Sequence, residues 1–178
     1  MNEQLLIQKI LQGDTASFRY LYRLYALSAM QLAMSVCKQK ENAEEVVQNS
    51  FINAYNNLGN FRQESTFKTW LLRIVFNEAI RIQKAEQKYL WQEMTQDENG
   101  EEIISISIPN TIDKKETKEQ VTKTIASLCE KESIVLNLFY LEELSIKETA
   151  DVLGYTESNV KVLLHRARKN FKNVYEKL

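Results

Sequence analysis

The chain has 178 residues, with one Pro, four Gly and 44% apolar residues. Its length makes one or two domains, and so few breakers leave long helices uninterrupted. A net charge of −1 gives no global attraction to nucleic acid, and no apolar run approaches the ~20 residues of a membrane span.

Residues 3–12 predict a short helix with Leu5, Leu6, Ile10 and Leu11 on one side, stopped at Gly13-Asp14. A long helix follows from Thr15 to about Lys38, carrying Phe18, Leu21, Tyr22, Tyr25, Leu32, Ala33 and Val36 at helical spacing. Residues 42–58 predict a third, with Val46, Val47, Phe51, Ala54, Tyr55 and Leu58, broken by Asn57, Gly59 and Asn60. Residues 61–66 read as a loop. A fourth helix runs from Thr66 to about Lys88 on Phe67, Trp70, Leu71, Ile74, Val75, Ala79 and Ile82. These helices have enough apolar positions for one core, so residues 1–90 are taken as the first domain.

Residues 91–115 differ. They are acidic, contain Asn99-Gly100 and Pro109, and hold the Ile/Ser-rich run IISISIP. A loop of this length is uncommon inside a compact domain. It reads as a flexible acidic linker, with a short strand or hairpin at 102–108 as the alternative. Helices resume at 114–128, 131–141, 145–153 and 157–176, so residues 116–178 make a second domain. The expected fold is all-α, with two small helical domains and no internal repeat.

The stretch SIKETADVLGYTESNVKVLLHRARKNF, residues 145–171, carries the most information. Ser145 lies three before Glu148, a capping box. Ala150 is small enough for a second helix to approach, and Gly154 can take the left-handed turn that ends the first. Thr156 is a good N-cap for the next helix. There Val160, Leu163, Leu164, Ala167, Phe171 and Val174 form one apolar stripe, while Lys161, His165, Arg168 and Lys172 form a basic face with Arg166 and Lys169 beside it. Two capped helices joined at a glycine make a helix-turn-helix whose second helix, 157–171, suits a major groove. An ordinary amphipathic helix with a solvated basic face is the plainer reading of the second helix alone.

Charge is distributed unevenly. Residues 61–90 hold six Lys/Arg against three Glu, net +3; residues 91–119 hold eight acids against three Lys, net −5; residues 156–178 hold six Lys/Arg against two Glu, net +4. Two basic segments thus flank an acidic one. The two cysteines, Cys37 and Cys129, lie far apart without a CxxC, and His165 is the single histidine. No protein-only zinc site and no cofactor is expected, and both thiols are read as reduced and packed. The N-terminus has no basic segment before an apolar run, so no signal peptide is read there and the chain is expected to be soluble and cytoplasmic.

Three segments resemble one family. GDTASFRYLYRLY (13–25) is similar to its first-helix pattern. AEEVVQNSFINAYNNLGNFRQESTFKTWLLRIVFNEA (43–79) resembles its Asp-x-Val-Gln-x-x-Phe helix, Phe-Arg loop and Thr-Trp-Leu-x-x-Ile helix. LFYLEELSIKETADVLGYTESNVKVLLHRARKNF (138–171) resembles its helix-turn-helix. The family is the extracytoplasmic-function group of sigma-70 factors, which give bacterial RNA polymerase its promoter specificity. The match spans both expected domains and leaves out only the linker.

The resemblance implies a promoter-reading protein without catalysis of its own. It implies RNA polymerase core enzyme and promoter DNA as partners, and an anti-sigma factor that holds the chain inactive. Ser158, Asn159, Lys161, Val162 and His165 would face the bases of the minus-thirty-five duplex, with Arg166, Arg168 and Lys169 on phosphates. Val162 and Leu163 stand where the family more often has polar residues. Val162 either touches a thymine methyl or packs inward. Phe61, Arg62, Ser65, Thr66, Trp70, Arg73 and Asn77 would hold the minus-ten element as a melted strand, with Lys68, Arg81 and Lys84 along its backbone. Trp70 reads equally well as a core residue. Glu44, Glu45, Gln48, Asn49 and Ile52 would grip the polymerase clamp helices, although a solvated acidic face is the plainer reading.

Two other functions compete. A stand-alone helix-turn-helix regulator needs a dimer interface or ligand domain, and neither is visible. An enzyme is disfavoured by the lack of a P-loop, a GxSxG or a metal-ligand cluster.

Overall fold

The computed structural model describes residues 3–37, 39–94 and 116–176, and every regular element in them is helical. In order these are α1 (Glu3–Leu11), α2 (Thr15–Val36), α3 (Lys40–Asn56), a 3-10 turn (Leu58–Asn60), α4 (Phe67–Met94), α5 (Glu116–Ala126), α6 (Glu130–Leu136), a π turn (Asn137–Leu141), α7 (Ile146–Leu153) and α8 (Glu157–Tyr175). Helix α4 continues through the first four residues assigned to the linker. Residues 95–115, including the possible strand at 102–108, lie outside the described residues.

Helices α1 to α4 enclose the first core. Leu21, Ala29, Leu32 and Ala33 of α2, Val46 and Ala54 of α3, and Leu71, Leu72, Val75 and Ala79 of α4 have no exposed surface. The turn between α1 and α2 is built as its sequence dictates. Gly13 takes φ +101, and Asp14 caps α2 by accepting from Ser17 N at 3.3 Å and Ser17 Oγ at 2.6 Å. Helix α1 is rotated relative to the expectation. Leu6, Ile7 and Ile10 are buried, whereas Leu5 and Leu11 are about half exposed. Tyr25 ties α1 to α2 by donating to Glu3 Oε2 at 3.2 Å, and burial, together with Glu3, pushes its phenol up to about 12.

Helices α5 to α8 enclose a second cluster of Ile125, Val135, Leu136, Ala150, Val160, Leu164 and Ala167. Glu132 is buried among these helices, and Asn170 Nδ2 donates to both of its oxygens, at 2.8 and 3.0 Å. A buried carboxylate needs such partners to remain tolerable.

The two bodies are docked. Ile134, Leu138, Leu144, Val152 and Leu153, all from the second, are buried in the same continuous cluster as the core of the first. Polar contacts surround this seam. Lys68 Nζ lies 2.9 Å from Glu142 Oε2 and 2.7 Å from the Glu142 carbonyl oxygen. Thr69 Oγ1 donates to Glu148 Oε1 at 3.2 Å, Asn137 Nδ2 to the Gln31 carbonyl at 3.2 Å, and Gln83 Nε2 to Glu130 Oε2 at 3.0 Å. A linked pair of separate domains is therefore incomplete as a description. The run Ser133–Leu138 is apolar on more than one face, and one of those faces belongs to the neighbouring body.

The cysteines correct a second expectation. Cys37 is buried, but Cys129 is exposed at the start of α6. Its neighbours explain this: as the N-cap residue it precedes the first turn, and the apolar face of α6 begins only after it. No described helix is long and apolar enough to cross a membrane.

Candidate nucleic-acid interface

The helix-turn-helix is closed by its caps. Ser145 Oγ accepts from Glu148 N at 3.2 Å, and Ser145 N donates to Glu148 Oε2 at 2.9 Å. The two bonds that Ser145 donates to this carboxylate, from its backbone N first and then from its Oγ at 2.7 Å, hold the Glu148 carboxyl below its ordinary value, with smaller help from Thr69 and Lys68. Gly154 ends α7 at φ +68. A Cβ there would meet nothing within 4 Å, so the left-handed backbone alone explains the glycine. Thr156 then caps α8 by accepting from Asn159 N at 3.2 Å.

Val160, Leu164 and Ala167 anchor α8 to the body. Ser158, Asn159, Lys161, Val162, His165, Arg166, Arg168 and Lys169 are all exposed on the remaining surface. Val162 is 59% exposed, which settles its direction: it does not pack inward. Arg168 is less available than its neighbours. Its Nε donates to Tyr140 Oη at 2.7 Å, and its guanidinium lies 5.6 Å from the ring centres of both Phe139 and Tyr140. There it lines an apolar groove together with Ile125, Leu136 and Phe171. Tyr140 is a contact that sequence reading missed. The π turn that presents it leaves no mark in residue spacing.

The second cluster of candidates lies at the start of α4. Phe61 and Trp70 are half-buried with ring centres 5.1 Å apart, and the buried Phe67 lies 5.9 Å from one and 5.6 Å from the other. Trp70 is thus both a core partner and a surface. Gln63 in the loop takes φ +58, an unusual backbone for a residue with a Cβ. Thr66 caps α4, its Oγ1 accepting from Thr69 N at 3.1 Å and lying 2.9 Å from Thr69 Oγ1. Ser65 is half-buried, and Arg62, Thr66, Arg73 and Asn77 are exposed. Trp70, Arg73, Asn77, Arg81 and Lys84 follow one another at three- and four-residue spacing, so they line one side of α4. Arg81 is engaged with Glu78, its Nη2 2.7 Å and its Nε 2.9 Å from the carboxylate oxygens. This partner, first among several, holds the Glu78 carboxyl low.

The third group lies on α3. Glu44, Glu45, Gln48 and Ile52 are exposed, and Ile52 shows half its surface. Asn49 is partly covered, and its Nδ2 donates to Glu78 Oε1 at 3.1 Å, linking α3 to α4. Glu44 makes a solvated pair with Lys40 at 3.3 Å.

Residues 21–89 match the family described as Sigma-70 region 2, and residues 118–171 that described as Sigma-70, region 4. The chain is 30% identical over 185 residues to the ECF RNA polymerase sigma-E factor of Salmonella typhimurium, covering all of this chain and 96% of that one. It is 28% identical to RNA polymerase sigma factor YlaC of Bacillus subtilis, over 88% of this chain and 90% of that one. In fold it is similar to CnrH, solved in complex with the cytosolic domain of CnrY, at a TM-score of 0.67 and 20% identity, covering 98% of this chain and 97% of that one. It is also similar to the sigma factor RpoE solved with the anti-sigma factor NepR from Bartonella quintana, at a TM-score of 0.67 and 19% identity over 89% and 96% of the two chains.

Proposed function

This chain belongs to the extracytoplasmic-function group of the sigma-70 family, and we propose that its two helical bodies divide the reading of one promoter between them. It is an RNA polymerase sigma factor that directs promoter-specific initiation. Sigma factors are initiation factors, and nucleotidyl transfer in this reading belongs to the polymerase. The first body, residues 1–90, binds core enzyme and holds the minus-ten element. The second, residues 116–178, reads the minus-thirty-five duplex, and residues 91–115 link them.

On the second body, Ser158, Asn159, Lys161, Val162 and His165 face base edges. Arg166 and Lys169 hold phosphates, which fix position and salt dependence without reading sequence. Arg168, tied to Tyr140, contributes to this charge from a fixed place. On the first body, Phe61 and Trp70 offer a stacking surface for an unpaired base, with Ser65, Thr66 and Asn77 as polar partners and Arg62 and Arg73 for the backbone. The observation that carries this reading is the pairing of that half-buried aromatic step with a row of exposed polar and basic side chains along α4. Glu44, Glu45, Gln48 and Ile52, with Asn49 bracing α3 on α4, form the face for the polymerase clamp. Because RpoE was solved with NepR, an anti-sigma factor is proposed as a partner here, acting in the cytoplasm.

Replacing Asn77 by Ala tests the minus-ten assignment. Permanganate footprinting is expected to show impaired melting while core binding stays intact. Unchanged melting removes the pocket.

A further inference from the structure

We infer that Tyr140 is a positioning residue for the contact of Arg168 with the phosphate backbone of the upstream duplex, fixing the guanidinium in place before DNA arrives. The inference rests on the minus-thirty-five reading above and gives Tyr140 a part in it.

Tyr140 stands on an anchored support. The π turn Asn137–Leu141 is closed by Glu142 N, which donates to the Asn137 carbonyl at 2.9 Å, and Asn137 and Leu138 are buried. Asn137 Nδ2 also donates to the Gln31 carbonyl of α2 at 3.2 Å. Two consecutive aromatic residues leave this turn, Phe139 and Tyr140, with ring centres 5.0 Å apart and planes at 77°. Arg168 meets both. Its guanidinium carbon lies 5.6 Å from each ring centre, within the range of a cation–π contact. Its Nε donates to Tyr140 Oη at 2.7 Å.

A guanidinium carries its N–H groups in a rigid planar fork. Tyr140 takes the one on Nε, and the terminal nitrogens carry the rest. Arg168 is exposed and follows Lys161 and His165 at helical spacing, with Lys172 beyond it, so it shares their face. A phosphate is held by the terminal edge of such a fork through two parallel bonds. An arginine free in solvent must be ordered before it can make them, whereas one already held by a ring and a hydroxyl has less freedom left to lose. A phenol hydroxyl orients a cation without cancelling its charge. The Glu78 carboxylate, by contrast, both orients and neutralises Arg81. Phosphates carry no base identity, so the gain from Tyr140 applies to every upstream sequence alike.

The test assembles holoenzyme from core polymerase and this chain and measures its binding to fluorescent duplexes carrying the minus-thirty-five element, across a range of salt. Tyr140→Phe keeps both rings and removes the acceptor. It is expected to weaken binding about threefold, the effect of one lost hydrogen bond, on every upstream sequence and without reordering them. Arg168→Ala is expected to lower the salt slope by about one unit, and Tyr140→Phe to move the slope in the same direction. In the Arg168→Ala background, Tyr140→Phe is expected to change nothing further. Arg168→Lys, which has no second edge to offer, is expected not to restore wild-type binding. A hydroxyl that only supports the fold would lower the melting temperature, leave the salt slope where it was and add its effect to that of Arg168→Ala. That result overturns the inference, and so does a folded Tyr140→Phe that binds like the wild type. Arg166→Ala and Arg168→Ala separate the two ideas. If neither weakens binding, the minus-thirty-five reading itself fails. If both weaken it while Tyr140→Phe does not, only the positioning role fails.

Discussion

Side chains on α8 fall into two chemical kinds, and their substitution separates them. Lys161 and His165 are exposed on the side of α8 proposed to face the groove, so Lys161→Ala and His165→Ala are expected to change which minus-thirty-five sequences are used. A lost base contact costs about 1–3 kcal/mol. Arg166→Ala is expected to weaken all promoters alike and to lower the salt slope by about one unit. Quantitative footprinting over a set of upstream sequences distinguishes these outcomes, and uniform weakening by Lys161→Ala would remove it as a base reader. The caps and the glycine turn of this motif were legible in sequence because each depends on a single residue type at a fixed offset. The direction of Val162 was not, because it adjoins Leu163 and Leu164, and only packing decides which of three neighbouring apolar residues faces out. The family resemblance implies a phosphate contact for Arg168, which stands on the basic face of α8. Its bond to Tyr140 comes from a segment 28 residues away in sequence, which helical periodicity cannot report.

Among the elements, α3 and α7 carry the sharpest expectations. Glu45→Lys reverses charge on the exposed face of α3, and it is expected to reduce capture of core polymerase while circular dichroism stays unchanged. A variant that binds core normally returns that face to solvent. Ser145→Ala removes the N-cap of α7. It is expected to cost about 1 kcal/mol, seen as a melting point lower by roughly 2–4 °C in a chain of this size. The same box predicts a pH dependence. Folding depresses the Glu148 carboxyl below its ordinary 4.5, so its contribution is complete above that value and is lost as pH falls through the depressed one. Acid titration of stability should therefore be shallower in Ser145→Ala than in the wild type. Helix positions were readable because their apolar residues recur every three or four. The rotation of α1 was not, since Leu5, Leu6, Ile7, Ile10 and Leu11 surround much of a short helix and leave two faces equally apolar. The π turn after α6 was missed for a related reason: it inserts one residue per turn without changing composition.

For the whole molecule, docking changes the account of why the free chain should bind duplex poorly. Charge alone gives one reason, with net +3 and +4 segments flanking a −5 segment. The structure adds that Lys68, counted among the basic residues of α4, already has a carboxylate partner. The run Ser133-Ile134-Val135-Leu136 did carry a signal of this. A helix apolar on opposite faces is buried on both, and here Val135 and Leu136 face the second cluster while Ile134 joins the first. Apolar periodicity within one segment does not say which distant body covers each of its faces. Polymerase can fix the spacing of the two bodies, so that engagement of one promoter element raises the effective concentration of the other. The chain alone is therefore expected to bind promoter duplex only weakly at physiological salt, by fluorescence anisotropy, well short of the nanomolar affinity of free-standing repressors.

Run-off transcription on genomic promoter fragments, with core polymerase and this chain added separately and together, tests the central claim most directly. Discrete transcripts are expected only when both are present, lost with Asn77→Ala and redistributed among promoters with Lys161→Ala. Absence of chain-dependent transcripts, together with nanomolar sequence-specific duplex binding by the chain alone, would contradict it and leave a stand-alone regulator in its place.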